Sequence, residues 1–151
     1  MSGLLVAARY LTIVPLPGPT DHAPSALGRS APWFPVVGLA LGIALVAVDL
    51  AAAVLFPPLL SALLTITAWK LLTGGLHLDG LADSLDGLVG RDPEHRRAIM
   101  RDSRIGTFGA VGLILFLLLE ITAVAELEPP ARWRALLVAP AVGRALPPLL
   151  A

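Results

Sequence analysis

The chain contains no cysteine among its 151 residues, and it carries few charges. The missing cysteine excludes disulfides, Fe–S clusters and thiolate zinc sites, although it identifies no compartment. Basic residues (Lys and Arg) and acidic residues number 11 each, so the net charge is zero and indicates no nucleic-acid partner. Only 15% of the residues are charged whereas 56% are hydrophobic, and the mean hydropathy is +0.81. These values lie outside the range of ordinary soluble domains and predict a membrane protein.

Long apolar runs predict an all-α fold, a polytopic integral membrane helical bundle that forms a single domain over residues 1–151. A helix needs about 20 apolar residues to cross a bilayer, and proline and glycine mark where such runs end. The predicted spans cover about 36–56, 59–76, 108–125 and 135–151. The segments 17–35 and 126–134 are predicted to be loops.

The two ends of the chain carry separate expectations. The first apolar run, 3–16, is short and is interrupted by Arg9, which predicts an interfacial or re-entrant helix and no signal peptide. The last apolar run continues to the final residue, Ala151, which predicts a C-terminally incomplete protein. Arginines cluster in 77–107, so the positive-inside rule predicts that this polar loop is cytoplasmic. No internal repeat is visible.

Three aspartates, Asp79, Asp83 and Asp86, follow the second apolar run. At about 100° per residue this spacing places all three within roughly 40° of one helix face. Like charges four residues apart destabilise a helix, and a divalent cation would relieve the repulsion. Mg²⁺ or Mn²⁺ suits such hard oxygen ligands and usually binds substrate phosphates as well. The alternative is a solvated acidic patch or a set of helix caps, since aspartate next to glycine is common in turns.

Arginines in the same segment supply groups that bind phosphate. Arg101 and Arg104 flank Asp102, and guanidinium groups hold phosphate oxygens in bidentate fashion. Carboxylates that hold a divalent ion, together with arginines, are the parts that phosphoryl or nucleotidyl transfer needs. Two alternatives stay open: the arginines serve only as a positive-inside signal, or Asp102 simply pairs with them.

Five further polar residues are candidates, each with an alternative. His77 is a candidate general base, metal ligand or phosphate donor, or else a plain interfacial histidine. Lys70 either extends to the membrane interface or reaches a phosphate. Arg144 lies in an apolar segment and needs a buried acid or a substrate phosphate as its partner. Asp49 and Glu120 lie inside predicted spans, where acids are functional or pair with another helix.

Four blocks of the chain resemble, in the right order, those of the cobalamin synthase family, also called adenosylcobinamide-GDP ribazoletransferase. Two are signature blocks: GGLHLDGLADSLDG over Gly74–Gly87 and MRDSRIGTFG over Met100–Gly109. The other two, Tyr10–Pro17 and Trp33–Gly38, resemble the family's opening and its entry to the first span. Ile13 stands where the family usually has a basic residue, and family members are longer, with further C-terminal spans.

The resemblance implies a multi-pass enzyme of the bacterial or archaeal plasma (inner) membrane that acts in the final steps of cobalamin (vitamin B12) biosynthesis. It would join adenosylcobinamide-GDP to α-ribazole or its 5′-phosphate, with Mg²⁺ as cofactor and release of GMP. Its other partner would be the lipid bilayer, and a homo-oligomer stays open. On this basis we expect catalytic roles for Asp79, Asp83, Asp86 and His77, metal binding by Asp79, Asp83, Asp86 and Asp102, and substrate binding by Lys70, Arg101, Arg104 and Arg144.

Three other functions are alternatives to this transferase. A CDP-alcohol phosphotransferase expects Asp-Gly-x-x-Ala-Arg, but here Ala82 comes one residue early and Asp83 follows it. A cation-coupled transporter would use Asp49, Glu120 and the aspartates as an ion path, but that class expects broken helices and repeated halves. The third alternative is a catalytically inactive fragment that acts as an assembly partner.

Overall fold

The computed structural model describes residues 3–17 and 24–150. Every regular element in these two ranges is helical, which confirms the predicted all-α fold. The helices are α1 (Gly3–Leu11), α2 (Pro24–Ser30), α3 (Phe34–Leu55), α4 (Pro58–Leu72), α5 (Leu76–Gly87), α6 (Pro93–Met100), α7 (Thr107–Glu126) and α8 (Pro129–Leu150), and a 3-10 turn (Ala31–Trp33) joins α2 to α3.

Two segments that were predicted as loops are largely helical. In the predicted loop 17–35, residues 18–23 lie outside the described ranges, and the part from Pro24 onward forms α2 and the 3-10 turn. In the predicted loop 126–134, only two residues separate α7 from α8. Both predictions were wrong: the first took Pro, Gly and Ser as loop signals, and the second took a short charged segment as a loop although Pro129 begins a helix there. Proline is tolerated in the first turn of a helix, where the N–H that it lacks has no helical partner.

Two helices in the described ranges are long and apolar enough to cross a membrane: Ala26–Leu55, which contains α3, and Thr107–Glu126, which is α7. Helices α4 and α5 are bent by 89° and count as a third span only if they form one broken span. The second predicted span was too long, because α4 ends at Leu72. The predicted span 135–151 lies in α8 up to Leu150, with Ala151 outside the described residues, and its crossing of a membrane stays a prediction.

The bend between α4 and α5 is made by Gly74 and Gly75, which have φ of +62° and +71°. Only glycine adopts this left-handed conformation at no steric cost. The segment after α1 is fastened to the same point, because the Ile13 N–H donates to the Leu72 carbonyl oxygen at 2.9 Å. We call Gly74 and Gly75 the hinge glycines. They end α4 and direct α5 away from it.

We expect Gly75→Ala to lower the free energy of unfolding by about 1 kcal/mol, because alanine pays a steric cost in the left-handed region. A Cβ at this position would meet nothing within 4 Å, so the effect would be purely conformational. The control is Gly80→Ala in the interior of α5, where a Cβ also meets nothing within 4 Å. That change should stabilise the protein by roughly 0.5–1 kcal/mol. Unfolding in detergent micelles measures both, and shifts of the same sign would contradict the hinge conformation.

Helix α3 packs closely along α8 at two glycines, Gly38 and Gly42. A Cβ on Gly38 would overlap the Pro140 carbonyl oxygen, and one on Gly42 would overlap that of Leu137. Small residues four apart allow two membrane helices to bring their backbones this close. Beyond this contact, apolar side chains from α3, α4, α7 and α8 form one core cluster: Leu45, Ala62, Ile66, Val124 and Leu136.

Buried charges on different helices pair with each other. Asp49 on α3 is 1% exposed, and its Oδ1 lies 3.5 Å from Nη1 of Arg132 on α8. Arg132 also donates to the Ala125 carbonyl oxygen at 2.8 Å. Removing one partner of such a pair leaves an uncompensated charge, so the pair holds α8 in position against α3 and the end of α7.

Candidate active site

A cavity of about 890 Å³ opens beside the hinge glycines, and we call it the aspartate cavity. It lies between the end of α1, one face of α5 and the connection from α6 to α7. Its lining includes Tyr10, Thr12, Ile13, Thr73, Gly75, Asp79, Asp83, Met100, Arg101, Asp102, Ser103 and Arg104. The cavity therefore joins three of the four blocks on which the family resemblance rests.

Asp79 and Asp83 line this cavity together. They stand one turn apart on α5, Asp79 exposed and Asp83 half-buried, and both border the same space as Arg101 and Arg104. The spacing of four residues accounts for their common face. Two carboxylates and two guanidinium groups in one cavity form a donor and acceptor set that suits a divalent ion and a phosphorylated ligand.

Asp86, the third aspartate of the stripe, is buried and holds the start of α7. Its Oδ2 accepts from the Gly106 N–H at 2.7 Å, and its Oδ1 accepts from the Gly109 N–H at 2.8 Å. A Cβ on either glycine would overlap the carboxylate. A carboxylate at a helix N-terminus satisfies N–H groups that have no helical partner and interacts favourably with the helix dipole. Asp86 therefore ties the first signature block to the second.

We expect Asp86→Ala to lower the free energy of unfolding by about 2–6 kcal/mol, because it leaves two N–H groups without acceptors and each costs about 1–3 kcal/mol. The matched control is Asp79→Ala on the exposed part of the same helix, which should change stability by less than about 0.5 kcal/mol. Unfolding in detergent micelles compares the two variants. Equal stability of both would contradict the assignment of Asp86 to the α5–α7 contact.

The predicted metal ligands do not form one cluster in this structure. In residues 3–17 and 24–150, no group of three or more Asp, Glu, His or Cys side chains could hold a metal ion. The oxygens of Asp86 already accept from α7, so the set Asp79, Asp83, Asp86 and Asp102 stays a prediction. Mg²⁺ often binds through one or two carboxylates plus water and substrate phosphates. Asp79 and Asp83 fit that smaller set.

Asp102 forms an exposed pair with Arg104, as one of the alternatives from the sequence proposed. Arg104 Nε donates to Oδ1 at 3.1 Å, and Nη2 donates to Oδ2 at 2.7 Å. These hydrogen bonds from the side chain of Arg104, with one from its backbone N–H, lower the pKa of Asp102 to about 2. Asp102 is therefore ionised at neutral pH. Exposed pairs are weak, so a phosphate can replace Asp102 as the partner of Arg104.

A second cavity, of about 340 Å³, lies on the opposite face of α5, and we call it the Arg144 cavity. It shares Thr73 and Gly75 with the aspartate cavity, so the two adjoin at the hinge. Helix α5 separates them, with His77 and Leu81 facing the Arg144 cavity. The lining is Trp69, Lys70, Thr73, Gly75, His77, Leu78, Leu81, Phe116, Glu120, Ala139, Gly143 and Arg144.

The charged groups in the Arg144 cavity differ in whether they have an ion-pair or hydrogen-bond partner. Lys70 Nζ lies 2.7 Å from Glu120 Oε2 and 4.5 Å from the centre of the Trp69 ring. Arg144 is 3% exposed, and its Nη1 donates to the Pro140 carbonyl oxygen of its own helix at 3.2 Å. Its Nε and Nη2 are buried and have no hydrogen-bond partner among the described residues. Lys70 and Glu120 therefore form an ion pair in which Glu120 Oε2 makes no hydrogen bond within the described residues, and Arg144 retains two donors without a partner there.

The predicted site residues thus separate into two groups. Asp79, Asp83, Arg101, Asp102 and Arg104 line the aspartate cavity. Lys70, His77 and Arg144 line the other cavity, whereas Asp86 lies in the contact between α5 and α7.

Sequence reasoning assigned no site role to the end of α1 or to the segment after it. Tyr10, Thr12 and Ile13 line the aspartate cavity, and of these only Ile13 had been singled out, as a departure from the family's opening block. The signal was available in the family resemblance, because all three belong to the block Tyr10–Pro17. When an uncharged block resembles a family signature, that resemblance predicts that the block lies near the site.

The helical fold and the apolar spans define a class, a helical membrane protein, and the acid- and arginine-lined cavity has the groups that suit a phosphorylated ligand. Comparison of the sequence identifies the family. A family model described as Cobalamin-5-phosphate synthase matches residues 3–151, so the chain belongs to that family.

Curated relatives with the name adenosylcobinamide-GDP ribazoletransferase resemble the chain over most of its length. The relative from Brevibacillus brevis is 42% identical over 147 residues, which are 95% of this chain and 58% of the relative. The relative from Pseudomonas fluorescens strain SBW25 is 45% identical over 142 residues, 93% of this chain and 58% of the relative. The chain therefore spans a little over half the length of these relatives. No solved structure matches it.

Proposed function

We propose that this chain carries the catalytic site of an adenosylcobinamide-GDP ribazoletransferase. The observation that supports the proposal most directly is that Asp79 and Asp83 line the aspartate cavity together with Arg101 and Arg104. The names of the relatives support the donor, adenosylcobinamide-GDP, and the transfer of a ribazole group. The family description names a cobalamin 5-phosphate, which supports α-ribazole 5′-phosphate as the acceptor.

The proposed reaction exchanges one phosphorus–oxygen bond for another. A ribose hydroxyl oxygen of the acceptor attacks the cobinamide-linked phosphorus of the donor's diphosphate. A new P–O bond forms to that hydroxyl oxygen, and the P–O bond to GMP breaks. GMP leaves with the electron pair of the broken bond, and the hydroxyl proton passes to a carboxylate of the aspartate cavity or to His77 at the hinge.

The residues of the aspartate cavity fit the donor's diphosphate. Asp79 and Asp83 would hold Mg²⁺, which when bound would neutralise charge on the diphosphate. Arg101 and Arg104 would hold the phosphate oxygens, with Arg104 exchanging Asp102 for the substrate. Since charge builds on the leaving GMP as the bond breaks, guanidinium groups at that point favour the transition state over the ground state.

The remaining expectations concern the membrane. We propose a multi-pass protein of the plasma (inner) membrane, with the segment 77–107 on the cytoplasmic side. The cluster of arginines in this segment supports that orientation through the positive-inside rule.

The transporter alternative gains one expected feature, the bend between α4 and α5, but its acids do not support an ion path. An ion path through Asp49 and Glu120 would need acids that can exchange a cation. Asp49 instead pairs with Arg132 and Glu120 with Lys70, so basic side chains already occupy both acids. The transferase therefore remains the best-supported function.

The test uses membranes that contain this chain, incubated with adenosylcobinamide-GDP and α-ribazole 5′-phosphate, with and without Mg²⁺. We expect GMP and the phosphorylated cobalamin in equal amounts, and only with Mg²⁺. A parallel sample carries the chain extended by the C-terminal remainder of the Brevibacillus brevis relative. GMP without the joined product would contradict transfer, and no reaction in either sample would reject the proposed function.

A further inference from the structure

We propose that the Arg144 cavity binds the phosphomonoester of the acceptor nucleotide while the aspartate cavity binds the diphosphate of the donor. The inference deepens the proposed function and rests on it. It assigns the two groups of predicted site residues to two different phosphate-bearing parts of the reaction, so Arg144 serves the acceptor and not the diphosphate.

The first argument is the state of Arg144. Its side chain is 3% exposed, and Nε and Nη2 have no hydrogen-bond partner in the described part of the chain. A buried charge without a partner is strongly destabilising, so a site that retains one is built for a ligand of opposite charge. Arginine offers two parallel N–H groups, and these match two oxygens of a phosphate group.

The second argument is the charge of the cavity. Glu120 is the acid that lines it, and this carboxylate already lies 2.7 Å from Lys70 Nζ. The pair is close to neutral, so the positive charge of Arg144 is left over. Apolar walls, including Trp69 and Phe116, surround these groups and strengthen an electrostatic contact by lowering the local dielectric. The cavity is therefore suited to one compact anionic group.

The third argument is position. The two cavities share Thr73 and Gly75, so they adjoin at the hinge on either side of α5. An acceptor nucleotide has a phosphate at one end and reactive ribose hydroxyls beside it. With the phosphate on Arg144, a hydroxyl can extend past the hinge toward the diphosphate. Orienting the two substrates in this way is a major source of rate in a two-substrate reaction.

The kinetic test compares acceptors with and without the phosphate. For wild type and Arg144→Gln we would measure KM and kcat with α-ribazole 5′-phosphate and with α-ribazole. We expect Arg144→Gln to raise KM for the phosphorylated acceptor by about 10- to 100-fold, the loss typical of a charge-assisted contact, and to leave KM for α-ribazole within about twofold. Arg144→Lys, which keeps the charge, should recover part of the difference.

The control is Arg134→Gln, which removes an exposed arginine from the same helix. It changes the net charge equally and should leave both KM values unaltered. Equal effects of Arg144→Gln on the two acceptors would overturn the assignment, because a purely structural arginine cannot distinguish them. An unchanged preference of Arg144→Gln for the phosphorylated acceptor would also overturn the assignment, and it is the result expected if Arg144 pairs with an acid.

A binding measurement keeps the inference testable without turnover. In a Trp33→Phe, Trp133→Phe background, Trp69 in the Arg144 cavity is the remaining tryptophan, and its fluorescence reports the ligand. We expect a saturable change with α-ribazole 5′-phosphate and with inorganic phosphate, none with α-ribazole at the same concentration, and none for either phosphate in Arg144→Gln. Phosphate binding in a protein without transfer would reject the proposed function alone. Transfer without any phosphate effect at Arg144 would reject this inference alone.

Discussion

Asp83→Asn is expected to slow ribazole transfer about a thousandfold. A metal ion in such a site contributes several kcal/mol of transition-state stabilisation, and each 1.4 kcal/mol corresponds to a factor of ten in rate. Asparagine keeps the size of the side chain but loses the negative charge that would hold the cation. Asp79→Asn should have an effect of similar size, because both carboxylates border the same cavity. The assay is the initial rate of GMP release in membranes with saturating Mg²⁺.

The control for this loss is Glu94→Gln, an exposed acid in the first turn of α6 that does not line the cavity. It removes the same charge from the same segment of the chain and should leave the rate within about twofold. Retention of more than a tenth of the wild-type rate in Asp83→Asn, with an unchanged requirement for Mg²⁺, would contradict the role of this carboxylate.

Gly42→Leu is expected to lower the free energy of unfolding by about 3 kcal/mol or more. Overpacking a core typically costs about 1–3 kcal/mol, and here the added atoms meet backbone that cannot rotate away. A Cβ at Gly42 would overlap the Leu137 carbonyl oxygen, and its next contact, the Leu137 Cα, is 2.8 Å away. The variant therefore forces α3 and α8 apart. Denaturation in detergent micelles, followed by the loss of helical signal, measures the change.

The same variant should also impair substrate binding, because α8 carries Arg144 into its cavity. The matched control is Ala40→Leu, an exposed position on α3 that gains a similar apolar volume. It should change stability by less than about 0.5 kcal/mol. If both leucine variants unfold at the wild-type denaturant concentration, the close packing of α3 on α8 is not present in the protein.

Most helices could be predicted from the sequence, whereas several of their ends could not. The apolar runs that predicted spans at 36–56 and 108–125 correspond to α3 and α7, because a run of that length and hydropathy favours a helix. The start of α8 at Pro129 was missed, since a proline-containing charged segment also fits a loop. At the end of α4 the sequence left two alternatives open, a hinge at Gly74 and Gly75 or a continuous helix, because glycine is tolerated in membrane helices. The positive φ of both glycines decides for the hinge.

The aspartate stripe was only partly predictable. Helical spacing placed Asp79 and Asp83 on one face, and the structure has both in one cavity. Helical spacing could not show that Asp86 accepts hydrogen bonds from Gly106 and Gly109, because that contact joins segments about twenty residues apart. Local periodicity describes a face of a helix, and the partner of that face depends on tertiary packing.

The division of the basic residues between two cavities could not be predicted from the sequence, for a similar reason. Lys70 and Arg144 were grouped with Arg101 and Arg104 because all four carry a charge that suits phosphate. The structure places the first two on the other side of α5, where Lys70 pairs with Glu120. The direction in which α5 leaves the hinge decides this division, and a bend of 89° at two glycines has no signal in hydropathy.

The central claim is that Asp79 and Asp83 hold a divalent ion on the diphosphate of the donor. Pulsed electron paramagnetic resonance with Mn²⁺ in place of Mg²⁺ tests it without requiring turnover. With adenosylcobinamide-GDP present, we expect bound Mn²⁺ with ³¹P hyperfine coupling in the wild-type chain and in Glu94→Gln, and loss of this signal in Asp83→Asn. The same coupled signal in Asp83→Asn, or protein-bound Mn²⁺ with no ³¹P coupling in the wild-type chain, would contradict the claim.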